Sequence, residues 1–262
     1  MPVELEGFTR ASFTADGRTK DVYRTGSGPA IVVISEMPGI TPEVADFARK
    51  AAAIGCTAVM PHLFGTPGRP VSAGYTLGSL GRACISHEFS VLALRRTSPV
   101  VAWLRALAAH EHQQCGGPGV GAVGMCFTGG FALGMMVDES VVAPVVSQPS
   151  LPFPVSASRK QDLGLSDSDL RRVQERAAAG TCVLGVRFSG DTFSPPERFA
   201  HLRQALGDRF IAIELDSSAG NPHGHKPRAH SVLTGDLDDR PGTPTRDALD
   251  TVLTFFAERL LP

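Results

Sequence analysis

Short apolar runs recur along the chain and alternate with segments of helical period. Residues 30–34 read AIVVI, a continuous β-branched run that is typical of a strand buried on both faces. Residues 9–14 and 19–25 lie on either side of a turn and should form an antiparallel pair. By the same signals, further strands are predicted at 56–61, 120–123, 141–146, 182–188 and 210–215.

Helix start and stop signals separate these strands. The tripeptide Thr41-Pro42-Glu43 supplies an N-cap, a proline in the first turn and an acid near the N-terminus, and Gly55 ends the segment. Similar signals predict further helices at 87–109 (with a possible interruption at Pro99), 127–137, 166–180, 195–207 and 245–260. The stretches left as loops are 62–86, 147–165 and 216–243.

The order of these elements predicts the fold class. Strand and helix alternate six times, which indicates an α/β fold with a mostly parallel central sheet and helices on both faces. Because no long polar linker divides the chain, we predict a single domain over residues 1–262, in which residues 147–180 could form a lid or cap. Binding sites in such sheets lie beyond the carboxyl ends of the strands.

Composition excludes several functional classes. The formal net charge is -1 and no block of like charges occurs, so we expect neither nucleic acid nor a membrane surface as a partner. We expect no secretory signal, and no stretch is as long as an apolar membrane span. The 5 cysteines lack C-x-x-C spacing, which argues against disulfides and structural zinc and predicts a cytoplasmic protein.

Residues 119–130 read GVGAVGMCFTGG, and their first half matches the dinucleotide pattern G-x-G-x-x-G. A dinucleotide loop needs its first glycine directly after a strand and a helix at its end. Here QQCGGP precedes the pattern, while the strand-like VGAV lies inside it. No acid follows at the end of a second strand, so we expect no nucleotide cofactor, and a dehydrogenase is only an outside alternative.

The same residues fit a nucleophile elbow with cysteine as the nucleophile. VGAV is the strand, Cys126 lies at the turn, and a helix begins at Phe127. The helix N-terminus would stabilise a thiolate, and the Phe127 amide would point toward a developing oxyanion. Strained turns of this kind need small neighbours, which here are Gly124, Gly129 and Gly130. The alternative is that Cys126 is an inert, small apolar residue.

A thiol nucleophile needs a base, and the base needs an acid that orients it. In hydrolases with an elbow the chain order is nucleophile, acid, histidine. Asp191 follows the predicted strand 182–188 and is the candidate acid, although it could simply be a turn or capping residue. His230, which precedes an apolar stretch, is the favoured base, and His223 is the second choice. His223 and His225 lack further ligands at metal-binding spacing, so no metal is expected.

Four motifs resemble those of the dienelactone hydrolase family of α/β-hydrolases. They are SEMPGI at 35–40, GMCFTGG at 124–130, SGD at 189–191 and AHS at 229–231. Together they extend over most of the chain in the order and spacing of the family. The first two are rather specific, whereas the last two are weak individually. The resemblance implies an α/β-hydrolase fold and a hydrolase that needs no cofactor.

The resemblance also implies the roles of the site residues. It implies a catalytic triad of Cys126, Asp191 and His230. Glu36 would be the family's additional carboxylate near the thiol, and Met37 would supply a second oxyanion amide beside that of Phe127. In the family's scheme, substrate displaces this carboxylate from the thiol, and the acid then helps the imidazole to take the proton.

Three features depart from the family pattern. Thr128 stands where glycine is common, loop 216–243 is longer than usual, and no arginine follows AHS, where members specific for dienelactones bind substrate. These departures leave the substrate's identity open more than the triad. Other side chains that could contact a substrate, or equally be ordinary surface residues, are Arg82, Arg187, His62 and His87.

The sequence therefore predicts a cytoplasmic, cysteine-dependent hydrolase of small carboxylic esters or lactones. It would act through a thioester, without metal or organic cofactor, as a monomer or homodimer. The alternative from another class is a non-catalytic module of the same fold that binds a small ligand and keeps an inert Cys126. A thiol redox sensor would need a resolving cysteine near Cys126, and the sequence places none there.

Overall fold

One mixed sheet forms the centre of the molecule. The computed structural model describes residues 5–85 and 98–262, without the side chains of residues 82–85. Within these residues, eight strands form a sheet in the order β1-β2-β4-β3-β5-β6-β7-β8. The strands are β1 (Thr9–Ala15), β2 (Arg18–Gly26), β3 (Ala30–Ile34), β4 (Thr57–Pro61), β5 (Val120–Met125), β6 (Val141–Ser147), β7 (Val183–Phe188) and β8 (Phe210–Leu215).

The pairing of the strands follows the predicted pattern. β2 is antiparallel to both β1 and β4, and all remaining pairs are parallel. Every residue of β3, β4, β5 and β7 is buried, because helices cover both faces of the sheet. This arrangement is an α/β-hydrolase fold, as predicted.

Helices pack on both faces of the sheet. They are α1 (Pro42–Ala53), α2 (Ala73–Ile85), α3 (Pro99–Cys115), α4 (Gly129–Met135), α5 (Ala157–Lys160), α6 (Asp167–Ala178), α7 (Pro196–Leu206) and α8 (Pro244–Leu260). Apolar side chains of α3, α4, α6 and α7 share one core, and those of α1 and α8 share the other. None of the helices in the described ranges is long and apolar enough to cross a membrane.

Two helix predictions need correction. Residues 62–86 were expected to be irregular, but α2 forms within them. Tyr75 and Ser79, one turn apart, are both buried, so packing overrides the low helix propensity of this glycine-rich stretch. The helix predicted over 87–109 instead runs from Pro99 to Cys115, and residues 86–97 lie outside the described part of the chain. Proline is therefore the first residue of this helix rather than an interruption.

Smaller differences concern α4 and the long loops. α4 ends at Met135, two residues earlier than predicted, and the short helix α5 lies inside a predicted loop. The single-domain prediction over residues 1–262, with 147–180 as a lid or cap, stays a prediction. Part of that segment is nevertheless tied to α7 by buried hydrogen bonds from Arg198.

Candidate active site

Cys126 lies at a sharp turn between β5 and α4. It follows the last residue of β5 and begins a turn of 3-10 helix, Cys126–Thr128, that leads directly into α4. Its φ angle is +53°, in the left-handed region that a side chain rarely occupies. Such a backbone costs about 1–3 kcal/mol, which the surrounding structure must offset. The backbone therefore has the geometry that the sequence predicts for a nucleophile elbow.

The glycines around the turn are required by close backbone approaches. A Cβ atom at Gly124 would lie 2.1 Å from the carbonyl oxygen of Thr128. A Cβ atom at Gly129 would lie 2.5 Å from the Cα atom of Pro149, in the loop after β6. No side chain fits at either position without moving the backbone, so the spacing of these glycines reflects the packing of the turn.

Thr128 has a specific structural role at the position where glycine was expected. Its hydroxyl accepts a hydrogen bond from the Met125 amide at 3.1 Å. The same hydroxyl lies 3.0 Å from the carbonyl oxygen of Ile34 and 3.1 Å from that of Ser35, to either of which it can donate. The threonine thus ties the elbow to the end of β3.

Asp191 and His230 meet across two loops of the sheet. Asp191 lies in the turn after β7, where its Oδ1 accepts hydrogen bonds from the amides of Phe193 (2.9 Å) and Ser194 (3.3 Å). Its Oδ2 accepts a hydrogen bond of 2.7 Å from Nδ1 of His230. The carboxylate is buried, so two backbone amides fix it in place while it orients the imidazole.

The imidazole of His230 is largely buried beside Cys126. Nε2 makes no hydrogen bond of ordinary geometry within the described residues. Burial lowers the pKa of His230, but the hydrogen bond to Asp191 and the neighbouring Cys126 sulfur outweigh it, so the pKa is raised. The ring of Phe193 contacts the imidazole edge-on, with a centroid separation of 5.8 Å. The structure therefore brings cysteine, histidine and aspartate together.

Asp236 and Arg187 support the two loops of this site. The Oδ2 atom of Asp236 accepts hydrogen bonds from the amides of His230 (2.8 Å) and Ser231 (3.1 Å). Arg187 is buried in β7, forms an ion pair with Glu214, and donates to the carbonyls of Ser189 and Ser194 on either side of Asp191. Arg187 is thus buried and bonded to the Asp191 turn.

The other predicted side chains lie elsewhere. His223 is exposed, and Nδ1 of His225 bonds to the carbonyl oxygen of Asp216, so neither contacts Asp191. Nε2 of His62 lies 3.1 Å from the carbonyl oxygen of Gly65, within its own loop. The side chain of Arg82 and the whole of His87 fall outside the described residues.

Glu36 is buried at the end of β3 and bonds to the histidine loop. Its carboxylate accepts hydrogen bonds from the hydroxyls of Ser231 (2.7 Å) and Thr234 and from Nε2 of Gln148 (3.4 Å). Burial raises the pKa of Glu36, while these donors and His230 lower it, and the net shift is upward. The acid therefore bonds to the histidine loop, and its described partners are these donors rather than the thiol.

The sulfur of Cys126 instead lies within hydrogen-bond distance of a serine hydroxyl. Oγ of Ser150 lies 3.7 Å from Sγ, and the amide of Ser150 donates to the carbonyl oxygen of Cys126 at 2.9 Å. Sequence reasoning missed Ser150 because it belongs to no motif and lies in a loop 24 residues after the cysteine. Its position next to Pro149, which packs on Gly129, is evident only from the fold.

The two predicted oxyanion amides follow neighbouring strands. In the parallel pair of β3 and β5, Ile34 is aligned with Gly124, so Met37 and Phe127 both come three residues after aligned positions. The ring of Phe127 is buried, with edge-on contact to Phe64 at 6.0 Å. This placement suits an oxyanion site, and the role of the two amides stays a prediction.

The described residues contain no group of three or more His, Cys, Asp or Glu side chains arranged to hold a metal. The cysteines whose side chains are described are free thiols, namely Cys56, Cys115, Cys126 and Cys182. Burial raises the pKa of Cys56 to about 11 and also raises that of Cys115. Both thiols therefore stay protonated near neutral pH.

A comparison with models of protein families gives a match over most of the chain. The family model described as "Dienelactone hydrolase family" matches residues 19–260. A search of curated protein sequences gives no match.

Solved structures of similar fold cover nearly the whole chain. One, from Klebsiella pneumoniae subsp. pneumoniae MGH 78578 and assigned as a dienelactone hydrolase, aligns with a TM-score of 0.62 at 18% identity, over 96% of this chain and 98% of that chain. A dienelactone hydrolase-like promiscuous phosphotriesterase from metagenomic libraries gives 0.60 at 16% identity, over 97% and 98%. A cold-adapted esterase from an Arctic intertidal metagenomic library gives 0.57 at 13% identity, over 96% and 92%. At these identities the likeness shows the fold alone.

Proposed function

Because the chain belongs to the dienelactone hydrolase family, we propose that this hydrolase cleaves small carboxylic esters or lactones with Cys126 as its nucleophile. The observation that carries the proposal is the position of His230. One nitrogen of its imidazole bonds to the buried Asp191 at 2.7 Å, and the sulfur of Cys126 lies close enough to raise its pKa. A base held by an acid beside a thiol at a strained turn is the arrangement that nucleophilic catalysis requires.

The first half of the proposed reaction forms a thioester. Nε2 of His230 takes the proton from Sγ of Cys126, and the thiolate attacks the carbonyl carbon while the carbonyl electrons move to oxygen. The amides of Met37 and Phe127 stabilise that oxyanion. When the oxyanion collapses, the carbon–oxygen bond to the leaving group breaks, and the imidazolium gives its proton to the departing alkoxide.

The second half of the reaction regenerates the thiol. His230 takes a proton from water, the hydroxide attacks the thioester carbon, and the thiolate leaves and is reprotonated by the imidazolium. Thiolate is a good leaving group from a tetrahedral adduct, so activated esters and enol-lactones suit this nucleophile better than amides. The bond to Asp191, which helps to raise the pKa of His230, persists in both halves and favours the imidazolium that each requires.

Glu36 contributes next to this triad. Its carboxylate holds Ser231 and Thr234, which follow the base in the chain, and thereby fixes the loop that presents His230. The family's displacement scheme would require Glu36 to exchange these donors for the thiol. We propose that Glu36 instead keeps these donors and stays beside His230. The variant Glu36→Gln tests the role of its charge.

We also propose that the protein functions in a reducing compartment such as the cytoplasm. Catalysis through Cys126 needs a free thiol, and each cysteine side chain within the described residues is unpaired. Its substrate is a small molecule, which is the class of substrate of the family.

Hydrolysis of p-nitrophenyl acetate and of a panel of lactones tests the function. Cys126→Ala should lower kcat/KM at least about a thousandfold, because the nucleophile is lost. Cys182→Ala, which changes another partly buried free thiol, is the matched control and should keep the wild-type rate. Mass spectrometry of enzyme quenched during turnover should find the acyl group on the peptide that contains Cys126.

Two results would contradict the proposal. Hydrolysis that persists in Cys126→Ala would exclude the cysteine as nucleophile. A wild-type protein that binds members of the panel without turning them over would instead favour the non-catalytic ligand-binding alternative.

A further inference from the structure

A buried serine and a buried arginine lie behind the elbow, and neither has a role in the mechanism above. Ser150 is 1% exposed and follows β6 in the loop that packs against Cys126. Its amide donates to the carbonyl oxygen of Cys126, which fixes the distance between the two backbones. Its hydroxyl has two acceptors within reach, the carbonyl oxygen of Gln148 at 3.1 Å and Sγ of Cys126 at 3.7 Å.

The single proton of this hydroxyl can serve only one acceptor at a time. A carbonyl oxygen is the better acceptor while the cysteine is a neutral thiol, because thiol sulfur accepts weakly. Once the sulfur carries a negative charge, the hydrogen bond to it becomes charge-assisted and about twice as strong as a neutral one. Rotation of one hydroxyl would then transfer the bond from Gln148 to Cys126.

The loop that carries Ser150 is held by Arg198 of α7. The guanidinium donates to the carbonyl oxygens of Pro149 and Pro152, each at 2.6 Å, on either side of the serine. Two further hydrogen bonds go to the carbonyl oxygens of Arg159 (2.9 Å) and Asp162 (2.8 Å). One side chain thus bonds to four backbone carbonyls between residues 149 and 162. Arg198 is 1% exposed, and its contacts fix the loop against the elbow.

We propose that the Ser150 hydroxyl is a hydrogen-bond donor that stabilises the Cys126 thiolate, and that Arg198 is the positioning residue that holds the loop presenting it. The inference rests on the proposed function, since a stabilised thiolate matters only if the sulfur reacts. The Ser150 hydroxyl is then a second stabilising partner of the thiolate, in addition to the His230 imidazolium.

The test measures thiolate formation at Cys126 without requiring turnover. Iodoacetamide alkylates thiolates, and peptide mapping by mass spectrometry reports the rate at Cys126 alone across a pH series. In Ser150→Ala, alkylation at pH 7 should be about tenfold slower, and the pH of half-maximal alkylation should rise by about one unit. Ser150→Thr, which keeps the hydroxyl, should retain the wild-type profile.

Two more serine variants complete the comparison. Ser150→Gly also removes the hydroxyl and adds no group that could bond to Sγ of Cys126, so its profile should shift in the same direction as that of Ser150→Ala. This variant decides the question if Ser150→Ala does not fold. Ser79→Ala removes another buried hydroxyl, one without a hydrogen-bond partner in the described residues, and should change nothing.

The role of Arg198 is tested by the same pH series. Arg198→Met should shift the Cys126 profile in the direction of Ser150→Ala, and Arg198→Lys, which can still donate to a carbonyl, should shift it less. In the double variant with Ser150→Ala, the arginine change should add no further shift, because its effect passes through the serine.

Superimposable alkylation profiles for wild type and a folded Ser150→Ala, or Ser150→Gly, would overturn the inference. That failure differs from failure of the proposed function. If Cys126→Ala abolishes hydrolysis while the Ser150 profiles coincide, only the inference is wrong. If Cys126→Ala still hydrolyses esters, the proposed function is wrong, whatever the alkylation shows.

Discussion

Exchanging Asp191 for asparagine changes the tautomer of His230 with little change in shape. In the wild type, Oδ1 of Asp191 accepts from the amides of Phe193 and Ser194, and Oδ2 accepts from Nδ1–H of His230. In Asp191→Asn the amide oxygen can keep both backbone bonds, which places its NH2 group against Nδ1. That nitrogen must then be the acceptor, so the neutral imidazole carries its proton on Nε2 and cannot take one from Cys126.

The expected loss is large for catalysis and modest for stability. A triad with the wrong histidine tautomer loses about 10⁴ in kcat in the best-known serine protease case, and we expect about 10³–10⁴ here. All three contacts of Asp191 can persist, but each loses its charged acceptor and the one to Nδ1 reverses direction, so the free energy of unfolding should fall by about 1–2 kcal/mol.

The pH dependence gives an independent readout. Asp191 is one cause of the raised pKa of His230, so removing its charge should lower that pKa. In Asp191→Asn, therefore, the deprotonated imidazole should appear at lower pH than in the wild type.

The assay is kcat/KM for p-nitrophenyl acetate over a pH series, with thermal unfolding measured on the same samples. Asp216→Asn is the matched control, because this exposed aspartate also accepts a hydrogen bond from a backbone amide in a turn, that of Ser218 at 2.8 Å. The control variant should keep the wild-type rate. A folded Asp191→Asn that retains more than about a tenth of the wild-type rate would refute the tautomer argument.

Three further predictions concern the elbow and the buried acid. Gly124→Ala should lower the melting temperature by several degrees or fail to fold, because its Cβ would lie 2.1 Å from a carbonyl oxygen. The control Gly78→Ala in α2, whose Cβ would have nothing within 4 Å, should be neutral or slightly stabilising. Equal melting temperatures of the two variants would contradict this prediction. Thr128→Val should cost about 1–3 kcal/mol in urea unfolding, because the Met125 amide loses its acceptor, and an unchanged midpoint would argue against that bond. Burial raises the pKa of Glu36, so its contribution to the free energy of unfolding is present below about pH 4 and is lost as the pH rises through the raised pKa. In urea unfolding over a pH series, Glu36→Gln should lack this loss of stability. If the stability of wild type and of Glu36→Gln changes with pH in the same way, this contribution is excluded.

The sequence by itself determined the central strands and the elbow. A strand covered by helices on both sides is mostly apolar along its length, so the sequences of β3 (AIVVI) and β7 are sufficient to predict buried strands. The spacing of Gly124 and Gly129 around Cys126 also predicts the sharp turn, because a residue at positive φ crowds its neighbours in the chain. These features depend on geometry within a few residues, which a linear pattern records.

The order of motifs also indicated the meeting of Asp191 with His230. Loops after parallel strands open at the same edge of the sheet, so an acid after β7 and a histidine after β8 were expected to approach each other. Which histidine would do so was settled only by the fold, which leaves His223 exposed and places His230 in the site.

Only the tertiary structure decided the remaining contacts. Helix α2 forms in a glycine-rich stretch because Tyr75 is buried and bonds through its hydroxyl to the backbone of Thr66, which no local propensity reveals. Glu36 binds Ser231, 195 residues away, and Arg198 binds Pro149, 49 residues away. A buried polar group must find partners wherever packing brings donors and acceptors together, and that choice depends on the whole arrangement of strands and helices rather than on spacing along the chain.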